Sequence, residues 1–189
     1  MEPYTFAKVS VPATEAHITH YSSIRLLGLK SDPHAFGSTF EREAQFTRQQ
    51  WRERLETPGS VTLGVSGPQS PDSDNLPWIG TVGILTPTML EAVGYTPPGV
   101  LVADGAAAYI VVGMWVHPEH RRKGLGRRLV EMGFKVVRDD SDKMGKPKKI
   151  LLQVHRTNEG AKLLYSNLGF VEEPEDNDSS DEIWMSKKI

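Results

Sequence analysis

Residues 116–126 read Val-His-Pro-Glu-His-Arg-Arg-Lys-Gly-Leu-Gly and follow the apolar run Tyr109-Ile-Val-Val-Gly-Met-Trp115. The order predicts a strand, a loop carrying Arg121-x-x-Gly124-x-Gly126, and a helix that starts near Gly126. Such a loop is an anion cradle. Two glycines let the backbone turn tightly and approach a ligand. The free N–H groups and positive dipole end of the helix favour negative charge. Basic side chains at Arg121, Arg122, Lys123, Arg127 and Arg128 add charge-assisted donors. A pyrophosphate suits this donor set. Two other phosphate loops fail on the residues present: a Walker A loop needs Lys-Ser/Thr where Arg127 and Arg128 stand, and a dinucleotide fingerprint needs a third glycine where Leu129 stands. By itself the segment also reads as a glycine-rich turn leading into a solvated basic helix start.

A second segment decides between these readings. Residues 154–170 read Val-His-Arg-Thr-Asn-Glu-Gly-Ala-Lys-Leu-Leu-Tyr-Ser-Asn-Leu-Gly-Phe. Together the two segments resemble the GNAT acetyltransferase superfamily. Arg121-x-x-Gly124-x-Gly126 is similar to that family's acetyl-CoA loop, and Asn158-x-x-Ala161-x-x-Leu164-Tyr165-x-x-x-Gly169-Phe170 to its second signature. The likeness is good over residues 105–188 and loose before them, where Arg25-Leu-Leu-Gly-Leu and Asp32-Pro-His-Ala-Phe-Gly-Ser-Thr-Phe40 look like the N-terminal segment of small-molecule-type members.

The resemblance implies an α/β (α+β) fold: a mixed, mostly antiparallel central sheet with one splayed parallel strand pair and helices on both faces. The pair would be strands 108–116 and 150–155. Acetyl-CoA, the implied cosubstrate, would lie between them, its pyrophosphate on the N–H groups of about Arg122 to Arg127. The implied binding set is Met114, Trp115, Val116, Arg121, Arg122, Lys123, Gly124, Leu125, Gly126, Arg127 and Asn158, with the backbone of Met114 and Val116 pairing with the pantetheine arm. Asn158 also reads as the cap of the following helix. Tyr165 stands seven residues on, on the same helix face. The resemblance makes it a cofactor contact and the general acid for the departing thiolate; its spacing alone reads as a packed aromatic.

The base is harder to assign. A primary amine is almost fully protonated at neutral pH, and deprotonating it costs roughly 4.6 kcal/mol. Many members of the resembled family carry a glutamate on the strand before the cradle. Here that strand is Val112-Gly113-Met114-Trp115, with no carboxylate. Glu41 and Glu43, near the start of a predicted helix beside the acceptor cleft, are candidates, and they read equally as exposed carboxylates that favour the helix dipole. His17-x-x-His20 and His117-x-x-His120 have partly suitable metal spacing without an evident carboxylate or cysteine complement, so no metal is expected. The chain has no cysteine, which removes disulfides, thiolate metal sites and a cysteine nucleophile, and favours direct transfer over an acyl-enzyme.

The elements that would hold these residues are legible from punctuation and periodicity. Tyr4 to Val11 reads as a first strand, and Thr14 as the N-cap of a helix to about Leu29 that Asp32-Pro33 stops. Ser38 reads as the cap of a helix to about Leu55. Strands follow at Val61–Val65 and Trp78–Leu85, separated by a flexible Gly67–Pro77 loop. Gly94–Gly105 is irregular. A helix at 126–138, a polar link to Lys149, a strand at Ile150–Val154 and a helix at Asn158–Asn167 lead to Phe170-Val171, a solvated acidic loop over 172–182, and a last strand at Ile183–Met185 that closes the sheet.

A chain of 189 residues at net charge −2 suits one soluble domain over residues 1–189 and gives no basic field for nucleic acid. No stretch approaches 18 apolar residues and the N-terminus lacks a leader pattern, so the expectation is no membrane association and a cytoplasmic or nuclear site. The expected function is N-acetyl transfer from acetyl-CoA to an amine, a small molecule first, a protein N-terminus or lysine second. A non-catalytic acyl-CoA sensor is the reading from a different class. A monomer or homodimer suits any of them.

Overall fold

A computed structural model of the chain describes residues 4–68, 77–140, 145–174 and 181–189. The elements are strands β1 (Thr5–Lys8), β2 (Ser60–Ser66), β3 (Trp78–Leu85), β4 (Ala107–Val116), β5 (Lys148–His155), β6 (Val171–Glu172) and β7 (Glu182–Lys188), and helices α1 (Glu15–Ser31), α2 (Phe40–Glu43), α3 (Arg48–Glu56), α4 (Pro87–Ala92), α5 (Leu125–Asp139) and α6 (Glu159–Ser166). The strands form one mixed sheet in the order β1-β2-β3-β4-β5-β7-β6. Every pairing is antiparallel except β4 with β5. This is the fold class the sequence implied.

Side-chain alternation along the strands builds a core on each face. Tyr109 and Val111 of β4 join Ile150, Leu152 and Val154 of β5 under α5, with Leu129, Phe134 and Val137. On the other face, Trp78 and Trp115 pack with Ile18 and Ile24 of α1 and Trp51 and Leu55 of α3. A smaller cluster on that face joins Ala108, Ile110 and Leu151 to Leu90 of α4 and Leu101 of a 3-10 turn at Gly99–Val102. The residues that part these two clusters, near the middle of β4, face the site described below.

Four expectations change. The helix read as one element from Ser38 to Leu55 is two. Thr39 caps α2, accepting from the Arg42 N–H, and Thr47 caps α3 through a reciprocal capping box with Gln50. A short helix, α4, begins with Pro87 in its first turn, where no helix was read. The last strand does not close the sheet: β7 lies between β5 and β6, and the two-residue β6 is the edge. The acidic segment is not wholly solvated either. Glu173 sits 2.8 Å from the buried Lys149 ammonium and accepts from the Ser186 hydroxyl. Residues 175–180 of that segment, and residues 69–76 of the predicted Gly67–Pro77 loop, lie outside the described residues.

Gly64 of β2 faces the six-membered ring of Trp78; a Cβ there would stand 2.3 Å from its carbons. Gly64→Ala forces that buried indole to move, and overpacking of this kind costs about 1–3 kcal/mol. The expected drop in Tm is roughly 2–4 °C per kcal/mol for a chain of this size. Calorimetric melting of the variant beside wild type measures it; an unchanged Tm would contradict the tight contact.

Candidate active site

The site begins where β4 and β5 part. They pair in parallel only from Ala107 with Lys148 to Ile110 with Leu151. Beyond that, β4 continues to Val116 against β3, and β5 to His155 against β7. The cause lies in β4. Between Thr81 and Gly83, β3 advances two residues while its partners on β4 run from Trp115 back to Val112, three residues. The extra residue is a bulge, which bends a strand and sharpens its twist. Gly113 supplies it at φ +58, a left-handed backbone that β-branched or bulky residues avoid. An open strand edge results on each side of the gap. Such an edge can hydrogen-bond an extended ligand as another strand would.

The open edge leads to the start of α5. Arg122 (φ 60) and Gly124 (φ 78) are both left-handed, and Gly124 leads directly into the right-handed first turn of α5, the alternation of backbone hand from which anion nests are built. Gly124 is the N-cap, and no side chain hydrogen-bonds to the first N–H groups of this 15-residue helix. Those donors, on Leu125, Gly126 and Arg127, therefore remain for a ligand. Leu125 contributes only its N–H, because its side chain is buried in the core. Gly126 also has close side-chain neighbours. A Cβ there would stand 2.7 Å from the Met114 Cε and 3.3 Å from the Leu164 Cδ2, two residues that line the cleft. Arg122 and Arg127 line a cavity of about 870 Å³ with Gly124 and Gly126. Lys123 is exposed and does not line it.

Arg121 is the exception among the basic residues of the loop. It also lines this cavity and stays partly exposed, but its guanidinium is bound to the protein: Nε donates to the Val116 carbonyl at 2.9 Å, and Nη2 donates to Asp32 at 2.6 Å. The same Asp32 oxygen accepts the Trp115 indole N–H at 2.7 Å. Arg121 thus ties the end of β4 to the end of α1 and sets the position of the loop. It also uses the Val116 carbonyl that the sequence reading gave to pantetheine. Burial alone would raise the Asp32 pKa, but the bonds from Trp115 and Arg121 and the charge of Arg121 outweigh it, and the net is a lowering.

On the opposite wall, Asn158 and Tyr165 of the α6 segment face both this cavity and a second one of about 620 Å³. Asn158 caps α6, its Oδ1 accepting from Ala161 N–H at 3.1 Å, and its amide N–H groups have no partner among the described residues. One side chain can serve both roles the sequence left open. Tyr165 is only 7 % exposed and packs edge-on to Phe170 at 5.6 Å. Burial pushes its pKa well above the ordinary phenol value, so the hydroxyl keeps its proton throughout the working range.

Neither glutamate named as a base is suited to that role. Glu41 is exposed and lines neither cavity. Glu43 lines the smaller cavity but is 1 % exposed and fully engaged. It accepts from Arg25 Nε at 2.9 Å and Nη2 at 2.8 Å, and lies 3.2 Å from Arg54 Nη1. Burial alone would raise its pKa, but the hydrogen bonds and charge of Arg25, the charge of Arg54 and a bond from Ser38 hold it below the usual carboxylate range. A carboxylate so stabilised has little basicity to give.

Two residues absent from the sequence reading stand at the junction of the two cavities. His34 and His155 line both, their rings 6.5 Å apart. His155 ends β5, with its Nδ1 2.8 Å from the Thr157 hydroxyl. A signal for it existed: it follows Gln153 on the strand's alternation and closes the strand just before the Asn158 cap. Elsewhere, the structure gives the His117-x-x-His120 pair a carboxylate after all, in Glu119, with candidate ligand atoms within 4.8 Å of one another. The His117 Nδ1 already accepts from the Glu119 N–H at 3.3 Å.

Comparison with known proteins agrees with this architecture. Residues 91–172 match the model of the acetyltransferase (GNAT) domain. No curated protein matches the sequence at a significant level. Among solved structures, Arabidopsis thaliana NAA60 in complex with acetyl-CoA is similar at TM-score 0.64 and 12 % identity, over 99 % of both chains. A putative acetyltransferase from Acinetobacter baylyi is similar at TM-score 0.66 and 10 % identity, over 99 % of this chain and 93 % of that one. The NatC complex bound to a Gag peptide and CoA is similar at TM-score 0.61 and 13 % identity, over 100 % and 99 %. The chain shares the fold of these structures, and its match to the GNAT domain model lies over β4, α5, β5 and α6, the elements that build the cleft.

The Asp32 junction gives a pH-dependent prediction. A carboxylate whose folded pKa is depressed contributes stability above its unfolded pKa, near 3.9, and loses it as pH falls through the lower folded value. Asp32→Asn should therefore destabilise at pH 7 by about 1 kcal/mol, given the partial exposure of the group. The difference should shrink as pH falls below the ordinary carboxylate value, about 3.9. Urea unfolding of both proteins at pH 7 and below that value measures this; a difference that persists undiminished at low pH would contradict the charge-based account.

Proposed function

We propose that this chain is an acetyl-CoA-dependent N-acetyltransferase, the whole of residues 1–189 serving as one catalytic domain, and that it moves the acetyl group directly onto an amine. The observation that carries this reading is the continuity of the open β4–β5 edge with the uncapped start of α5. One end is a strand partner for an amide-bearing arm, the other an anion nest, and pantetheine pyrophosphate has that order of groups. Arg122 and Arg127 supply charge at the nest, each charge-assisted bond contributing on the order of 1.5–3 kcal/mol. The nearby Asn158 amide donates to the arm.

The thioester then lies where the two cavities meet, beside the Gly113–Met114 bulge. A backbone N–H there stabilises the oxyanion as the amine attacks. Tyr165 gives its proton to the departing thiolate. Its raised pKa makes that transfer steeper than for an ordinary phenol, but burial destabilises the thiolate in the same way, so the two move together. His155, whose imidazole lines both cavities, takes the proton the amine must lose, and His34 stands across the junction with its ring 6.5 Å away. The absence of cysteine favours transfer within one ternary complex over an acyl-enzyme.

The size of the acceptor-side cavity, about 620 Å³, supports a small-molecule acceptor, since such pockets run to roughly 300–1,000 Å³. The likeness to a complex that holds a peptide supports a protein N-terminus or lysine as the second reading. A sensor that binds acyl-CoA without turnover would bind the cosubstrate and release no thiol with any amine.

Initial rates over both substrates, measured by thiol release, test the mechanism. Wild-type plots should intersect. Tyr165→Phe should lower kcat by about 100-fold, the lower range for a positioned acid, with little change in the KM for acetyl-CoA. Parallel lines, or wild-type kcat in the variant, would contradict the assignment.

A further inference from the structure

The acceptor-side cavity has a cationic end that the transfer chemistry leaves unused. Arg25, on α1, is buried, with its guanidinium 4.5 Å over the Phe36 ring. Its Nε and Nη2 are both given to Glu43. Its Nη1 has no hydrogen-bond partner among the described residues, and stands 3.3 Å from where a Cβ of Gly113 would be. The side chain missing at the bulge thus leaves Nη1 facing the cavity that both residues line. Arg54 shares Glu43 but is 37 % exposed. Arg42 is exposed, lines the same cavity and makes no ion pair among the described residues.

Two guanidiniums, of Arg25 and Arg54, therefore share one carboxylate that is already saturated, and Arg42 adds a third to the same cavity wall, an excess of two positive charges over Glu43. A buried salt bridge needs only one arginine. The Glu43 pairing does something else as well: it fixes the Arg25 fork in place without neutralising its neighbours. Donors immobilised in this way bind an anion without the entropy of ordering long side chains. The other end of the cavity, with Tyr165 and His155, takes the reacting amine. Two ends of opposite chemical demand are joined by one small cavity.

We infer that the acceptor is an amine with an anionic group, carboxylate or phosphate, at the far end of a short chain, that group docking on Arg42, Arg54 and the Nη1 of Arg25 while the amine reaches the Tyr165–His155 junction. This deepens the proposed transfer reaction and rests on it. Neutral amines of the same length fill the cavity without meeting the guanidiniums. A peptide acceptor presents neutral backbone to this end and would draw no benefit from them.

The test is a ladder of straight-chain ω-amino acids from glycine to 6-aminohexanoate, each beside its ω-amino amide and the matching aminoalkyl phosphonate, with saturating acetyl-CoA and thiol release as readout. The expected result is an optimum chain length at which an anionic acceptor exceeds its amide by at least tenfold in kcat/KM, the least that one charge-assisted contact gives. Carboxylate against phosphonate identifies the anion. Arg42→Gln, on an exposed guanidinium, and Arg54→Gln, on a partly exposed one, should each shrink the anion-to-amide ratio. Amides or short peptides that match or beat both anions at every length would overturn the inference. If no amine is turned over, the transfer reading fails, and the anion site is then judged separately: the N-acetyl ω-amino acids and their amides are titrated calorimetrically into CoA-loaded protein. Binding by the anions alone upholds the site; equal binding, or none, overturns it.

Discussion

One bulge organises this molecule. Because β4 carries an extra residue at Gly113, it cannot stay beside β5, and the parallel pairing stops after Ile110. The opened stretch of β4, Val112 to Met114, is also its least buried part, so its edge is accessible for an extended ligand to pair with. The sheet on either side is otherwise fully laddered, with β3 and β7 completing the outer edges of the parting strands. The gap is a local, specified departure within a regular frame.

The rest of the chain braces that gap from both faces. On one, α5 packs its apolar side across the sheet and aims its uncapped start at the end of the opening, while α6 brings in Asn158 and Tyr165. On the other, α1 ends at Asp32, which holds Trp115 and Arg121 across 83 and 89 residues of sequence. Arg25, two helical turns earlier, reaches the bulge itself. The N-terminal segment is thus no mere lid over a C-terminal catalytic half. It fixes the position of the loop before α5 and lines the smaller of the two cavities.

That division explains what could be read from the sequence. The cradle and the α6 signature were legible because their chemistry is local: a helix start, its glycines and an i+7 pair lie within one stretch of chain. The fold class followed from them. The function of the N-terminal segment was not legible, because it depends on long-range partners. Arg121 sits in a basic run and reads only as a phosphate ligand, and its bonds to Asp32 and the Val116 carbonyl could not be read there. Glu43 reads as an exposed helix-start carboxylate, yet Arg25 and Arg54 bury and saturate it. Local rules also competed with one another. Ser38 looked like a cap, but Thr39 caps α2 and a capping box at Thr47 and Gln50 starts a new helix. Lys149 drew Glu173 out of an acidic run that composition alone assigns to solvent. His155 was visible only as the end of a strand until the second cavity wall stood beside it.

The claim on which the account turns is that the parted strands and the start of α5 form one continuous seat for acetyl-CoA. Backbone amide chemical shifts followed by NMR during an acetyl-CoA titration test it residue by residue. The account predicts one contiguous set of large shifts, over residues 111–116 of β4, 122–127 at the cradle and 158–165 of α6, with small changes elsewhere. Shifts concentrated on another face of the protein, or at the cradle alone with β4 unmoved, would contradict it.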